Sequence, residues 1–232
     1  MVESYSINKN IRKIIPKNFS LEKARFAQKI IASKCIKNNC FSKIDIIAGV
    51  DATYIKNFSI ASIASIDFKT HEIIEIKKVY EKTYFPYIPT LLSFREAPLI
   101  FKCFHLLNNK PDIIIVNGHG IAHPYKCGLA THVGVILNIP SIGVARKKLY
   151  GEEKIIDNRT FLIDENSSII AEVIKRGKTK LYVSIGNMID LETSVSIVLN
   201  LLKNGLKLPL PLQIAHNECE NLKNKFKLKI IK

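Results

Sequence analysis

No stretch of this 232-residue chain approaches 18 consecutive apolar residues, so no membrane-spanning helix is expected. The opening MVESYSINKNIRKII has no continuous apolar region, so a secretory signal is not expected either. The five cysteines, Cys35, Cys40, Cys103, Cys127 and Cys219, form no CxxC pair and keep irregular spacings. That speaks against a disulfide framework or a zinc ribbon, and for free thiols in a reducing compartment, the cytoplasm. No repeat and no long linker interrupts the chain. A single domain over 1–232 is expected, with 1–19 polar, basic and irregular. Acid is in short supply: Asp plus Glu is 20 against 35 Lys plus Arg, a formal charge of +15. Arginine is scarce as well, six of those 35, the other 29 being lysine. An Ile-, Lys- and Asn-rich composition reflects genome bias as readily as a binding face. The charge points to a polyanionic partner such as nucleic acid without assigning one.

Apolar residues are plentiful, 47% against 24% charged, which excludes a disordered basic tail and suffices for a buried core. Ser20 is a fitting N-cap for a helix from Leu21 to Cys35, where Leu21, Ala24, Ala27, Gln28 and Ile31 recur at helical spacing. Ile44 to Val50 reads as a buried strand leading to Asp51. Ser59–Phe68 and Glu72–Tyr84 read as two further strands of an antiparallel meander. Pro98 suits the first turn of a helix reaching about Asn108. Strands are expected at Asp112–Val116, Ser141–Ala145, Ile169–Ile174 and Lys180–Ile185. Helices are expected at Gly128–Asn138 and from the Asp190 N-cap through Lys203. The order βββ–α–β–α–β argues for one α/β domain built on a mixed sheet.

Four positions stand out for chemistry. Asp51 ends an apolar strand, where an acid is costly unless it is paired or binds a metal. Glu96 falls at a strand-to-helix transition. Asn117 ends the Ile113–Val116 strand and opens Asn-Gly-His-Gly. His216 lies in an apolar stretch near the C-terminus. A metal site and a salt-bridged or capping role both remain open on these features alone. Asn117-Gly118 is also the dipeptide type most prone to deamidation, since glycine hinders ring closure least.

The motifs themselves are more specific. Ala48-Gly49-Val50-Asp51, Pro86-Tyr87-Ile88-Pro89 through Leu92-Ser93-Phe94-Arg95-Glu96, and Asn117-Gly118-His119-Gly120-Ile121-Ala122-His123-Pro124 follow one another in order. Gly143-Val144-Ala145, Leu191-Glu192-Thr193 and Ile214-Ala215-His216 add to them. In these segments the chain resembles the endonuclease V family, inosine-directed nucleases with a ribonuclease H-like fold: a central mixed sheet flanked by helices. The resemblance implies an endonuclease of DNA repair that recognises deoxyinosine and hydrolyses the second phosphodiester bond 3′ to it. Its partner would be DNA containing deoxyinosine, with inosine-containing RNA as the alternative, and monomer is the default state.

The resemblance also implies roles. Asp51, Glu96 and Asn117 match the metal-binding positions, for Mg²⁺ with Mn²⁺ as the alternative, and hard oxygen ligands suit that choice. His216 matches a histidine near the metal and the attacking water, and Arg146 a basic position of the site. Tyr87, in a turn stiffened by Pro86 and Pro89 around Ile88, matches a wedge that fills the gap left by an extruded base. Gly118, Gly120 and Gly128 match the pocket for that base and Leu92 its apolar wall. His123 falls in the same motif, where it either orients the substrate or the groups behind the metal ligands or is a satisfied structural histidine. A zinc site at His119, His123 and His132 lacks an acid or thiol to complete it.

Five departures matter. Asn117 stands where the family has Asp, so the site loses a negative charge. Arg146 stands in place of a Lys and cannot donate a proton; Lys147 is its neighbour. Thr90 replaces the Gly usual after Tyr-Ile-Pro. Tyr125-Lys126 stands where paired arginines are common, and Asn187 near a family histidine. Two readings follow: an active metal-dependent endonuclease, or a catalytically weakened protein that binds inosine or distorted nucleic acid.

Overall fold

The computed structural model describes residues 19–177 and 179–230. The expected irregular segment therefore lies, but for Phe19, outside the described residues. Among the described residues, nine strands form one mixed sheet in the order β3-β2-β1-β4-β5-β9-β8-β7-β6. They are β1 (Ile46–Ile55), β2 (Phe58–Asp67), β3 (Ile73–Lys82), β4 (Ile113–Asn117), β5 (Ser141–Ala145), β6 (Glu152–Ile156), β7 (Arg159–Ile163), β8 (Ile169–Arg176) and β9 (Thr179–Asn187). The helices are α1 (Leu21–Ser33), α2 (Leu92–His105), α3 (Leu129–Leu137), α4 (Leu191–Leu201) and α5 (Leu210–Ile230). Strand β4 runs parallel to β1 and to β5, and the other pairings are antiparallel. No helix of the described residues is long and apolar enough to cross a membrane.

Alternation along the central strands builds two cores, one on each face. In β4, Ile113 and Ile115 join Ile47, Val195, Val198 and Leu212 beneath α4 and α5. Ile114 and Val116 turn the other way to Ala48, Val50, Ile100 and Val133 beneath α2 and α3. An apolar run is thus what a strand covered on both faces requires.

The antiparallel meander, the start of α1 and the Asp190 cap follow the expectation, while α1 ends at Ser33, short of the expected Cys35. Ser20 Oγ accepts from Lys23 N at 3.2 Å, and Asp190 Oδ1 from Thr193 N at 2.7 Å. Four further points differ. Strand β1 continues to Ile55, so Asp51 sits inside the strand and not at its end. Helix α2 begins at Leu92, which places Glu96 within the helix and Pro98 well inside it, past the first turn. The hairpin β6–β7 was not expected, because Glu152–Ile156 is an exposed edge without alternation. Asp157 and Asn158 make its two-residue turn, both at positive φ, as a hairpin of this hand needs. Helix α5 was not expected either. Its buried Leu212, Ala215 and Cys219, with Leu222 and Phe226 further on, recur at helical spacing among Asn and Lys.

Candidate active site

Residues 49, 51 and 53 of β1 share the face covered by α5. Gly49 sets the approach: a Cβ there would lie 2.2 Å from the Leu212 backbone nitrogen. Two residues along a strand cover about 6.6 Å and four along a helix about 6 Å, so the two elements stay in step. His216 Nδ1 therefore meets Asp51 Oδ2 at 2.6 Å, and Thr53 Oγ1 meets Glu220 Oε1 at 3.1 Å. On the other side, Asn117 at the end of β4 donates from Nδ2 to Asp51 Oδ1 at 2.7 Å, beside the Ala52 N–H at 2.9 Å. Both oxygens of a carboxylate only 6% exposed thus hold N–H donors, as a buried charge demands.

Glu96 reaches the site from α2. It is 7% exposed and accepts from the Tyr54 hydroxyl at 2.7 Å. Burial pushes its carboxyl up to about 8, and the negative Asp51 nearby pushes the same way, against the Tyr54 bond. Burial, then Glu96, raises the Tyr54 phenol in turn. Arg95 lies over the Tyr54 ring at 3.9 Å. The bond to Asp51 raises the His216 imidazole above its usual range, opposed by partial burial and by the positive Arg146.

A cavity of about 290 Å³ adjoins this cluster, and Tyr87, Leu92, Gly118, His123, Gly128 and Lys147 are in its lining. Cluster and cavity share two dipeptides. Asn117 holds Asp51 while Gly118 lines the cavity, and Arg146 lies near enough to His216 for its charge to oppose protonation there while Lys147 lines the cavity. At the rim, Tyr87 is 60% exposed. Pro86 and Ile88 are buried, Ile88 against Ala24 and Leu91, and neither is in the cavity lining. Gly120 does not line the cavity. It abuts β9, where a Cβ would fall 1.8 Å from the Ile185 carbonyl oxygen.

The histidines do not share a centre. His119 Nε2 lies 2.9 Å from the Lys147 carbonyl. His132, pushed down to about 4 by burial, packs edge-on against Phe94. His123 Nδ1 accepts from Tyr125 N at 3.1 Å, so Nε2 carries the proton and donates to the Thr90 carbonyl at 3.1 Å. Burial holds His123 near 3 and keeps it neutral. Lys126 pairs with Asp164, and Asn187 is buried between α3 and Ile36. The Gly118 N–H is engaged by the carbonyls of Val116 at 2.8 Å and Val144 at 3.1 Å, which keeps it from attacking the Asn117 side chain.

Sequence reasoning missed Tyr54, Arg25 and the structural use of Gln28. Gln28 did leave a signal, a polar residue on the apolar stripe of α1. Tyr54 left none, since an aromatic in a β-rich stretch is unremarked.

The Endonuclease V family model matches residues 25–217. Endonuclease V of Desulfurococcus amylolyticus is 40% identical over 206 residues, covering 86% of this chain and 94% of that protein. The crystal structure of an Endonuclease V from Bacillus subtilis superposes with a TM-score of 0.85 at 25% identity, over 94% of this chain and 98% of that one. An Endonuclease V of Ciona intestinalis, solved with a 24mer DNA containing an inosine followed by a ribo-adenosine, shares the fold. Its TM-score is 0.80 at 22% identity, over 91% and 99%. The family match, the relatives and the cluster at the centre of the sheet agree: the chain belongs to the Endonuclease V family and is an endonuclease.

Proposed function

We propose that this endonuclease recognises deoxyinosine in DNA and, with a divalent cation, hydrolyses the second phosphodiester bond 3′ to it. One observation carries this reading: the carboxylate cluster and the cavity adjoin, joined by Asn117-Gly118 and Arg146-Lys147. A base held in the cavity leaves its own strand beside Asp51. The solved complex of the Ciona relative with inosine-containing DNA supports the substrate class. Inosine-containing RNA is the alternative substrate. Removal of deaminated adenine is the corresponding repair role, and five free thiols accord with the cytoplasm.

The donor set suits Mg²⁺ or Mn²⁺. Asp51, Glu96 and the Asn117 side-chain oxygen are hard ligands. Asp51 lies close enough to the buried Glu96 to push its carboxyl up, and such a pair is one that a cation relieves. Bound there, the cation would supply charge neutralisation and an activated water. The chain's own residues do the rest. Asp51 fixes His216, Tyr54 orients Glu96, and His216 with Arg146 offers donors to a phosphate oxygen. Tyr87 stands where it can replace an extruded base. Extrusion costs a few kcal/mol, least for a weak pair.

A second reading rests on Asn117. Its amide occupies Asp51 and brings no charge, so the chain binds inosine but cuts it weakly. An end-labelled oligonucleotide with one deoxyinosine, at enzyme excess with Mg²⁺ or Mn²⁺, separates the two. A nick supports the nuclease; a retarded but uncut strand in both metals supports the binder.

A further inference from the structure

Thr90 follows the Pro86–Pro89 turn at a φ of +66°. For a β-branched residue this left-handed backbone is a true outlier, because Cβ crowds the chain. Such a conformation persists only where its surroundings over-determine it. Here three donors converge on one carbonyl. Thr90 O accepts from Gln28 Nε2 at 2.7 Å, His123 Nε2 at 3.1 Å and Arg25 Nη1 at 3.3 Å. Arg25 Nη2 also reaches the Thr90 hydroxyl at 2.5 Å.

Each donor is itself held. Gln28 has no exposed surface, and its Oε1 accepts from Arg25 Nη1 at 2.8 Å. The Arg25 guanidinium lies 4.1 Å over the Tyr125 ring. The Tyr125 N–H fixes the His123 tautomer that can donate. A turn that merely joined β3 to α2 needs no such convergence from two separate segments. Tyr87 stands three residues upstream, so an immobile Thr90 fixes where Tyr87 meets the cavity.

We propose that Gln28 and Arg25 of α1 are positioning residues that set Tyr87 over the base cavity through the Thr90 carbonyl. The clamp governs action on inosine in a duplex, where a base must leave the stack, and not in a single strand, where it is already free. This rests on the wedge role proposed for Tyr87.

Two variants test it: Gln28→Leu, which removes the buried donor, and Arg25→Lys, which keeps the charge and loses the fork. Amide hydrogen exchange of the 84–91 peptide should quicken at least tenfold in each, with β4 unchanged. Duplex cleavage should fall tenfold or more while single-strand cleavage stays within twofold. Unchanged exchange at 84–91, or an equal loss on both substrates, would overturn the proposal. If the parent chain cuts neither substrate, the functional reading fails, and the exchange measurement alone then decides the clamp.

Discussion

Asn117 holds Asp51 with an amide N–H at 2.7 Å. A carboxylate in its place would set two anions within hydrogen-bond reach, an arrangement that calls for a cation between them. The same residue precedes glycine, yet the Gly118 N–H is bonded to two carbonyls. Peptide mass spectrometry of aged, folded protein should therefore show no one-dalton gain at the Asn117-Gly118 peptide, and unfolding the protein before ageing should restore it. A second residue-scale effect belongs to His132, buried and held near 4 against about 6.5 when unfolded. The folded state resists the proton, so this contribution to stability is full above pH 6.5 and falls as pH drops toward 4. The loss is about 1.4 kcal/mol per pH unit at its steepest. Thermal melts at pH 7 and pH 4.5 should show a clearly smaller acid shift for His132→Leu than for the parent. Asp51 and His216 are legible from sequence as polar residues in apolar surroundings. Tyr54 and Arg25 are not, because their roles depend on partners distant in the chain.

Among the elements, β1 and α5 carry the site. The pairs Gly49 with Leu212, Asp51 with His216 and Thr53 with Glu220 form one register along both. Its first rung is a glycine pressed on helix backbone, so Gly49→Ala must push α5 outward. The expected cost is about 3 kcal/mol, read as a lower melting temperature. Cleavage activity should fall more than tenfold, with the His216–Asp51 contact opened. A variant of unchanged stability and rate would show that the close approach is not needed. The strands of the parallel centre are legible because an apolar run between turn signals has few other uses. Helix α5 is hidden by its Asn- and Lys-rich outer face, and β6 by exposure on the sheet edge. The extension of β1 past Asp51 is hidden for another reason: an acid reads as a strand end until its donors are known.

Over the whole molecule, the charge of +15 acts on any nucleic acid alike. If about six phosphates are neutralised, affinity should drop by about a thousandfold between 50 and 200 mM salt. An adenosine strand should share that slope with an inosine strand, because phosphate contacts carry no base information. On the proposed reading, charge brings the partner and the cavity beside Asp51 selects within it. The fold class was legible from element order alone, whereas the joining of cavity and carboxylates needed the dipeptides 117–118 and 146–147 in three dimensions. On the same proposed reading, one missing charge at position 117 weakens a metal-dependent site without dismantling it. Single-turnover nicking of a deoxyinosine strand, titrated with Mg²⁺ for the parent and for Asn117→Asp, decides this. The parent should nick, and Asn117→Asp should do so at an Mg²⁺ concentration at least tenfold lower. Superimposable titrations, or no nick by either protein, would contradict it.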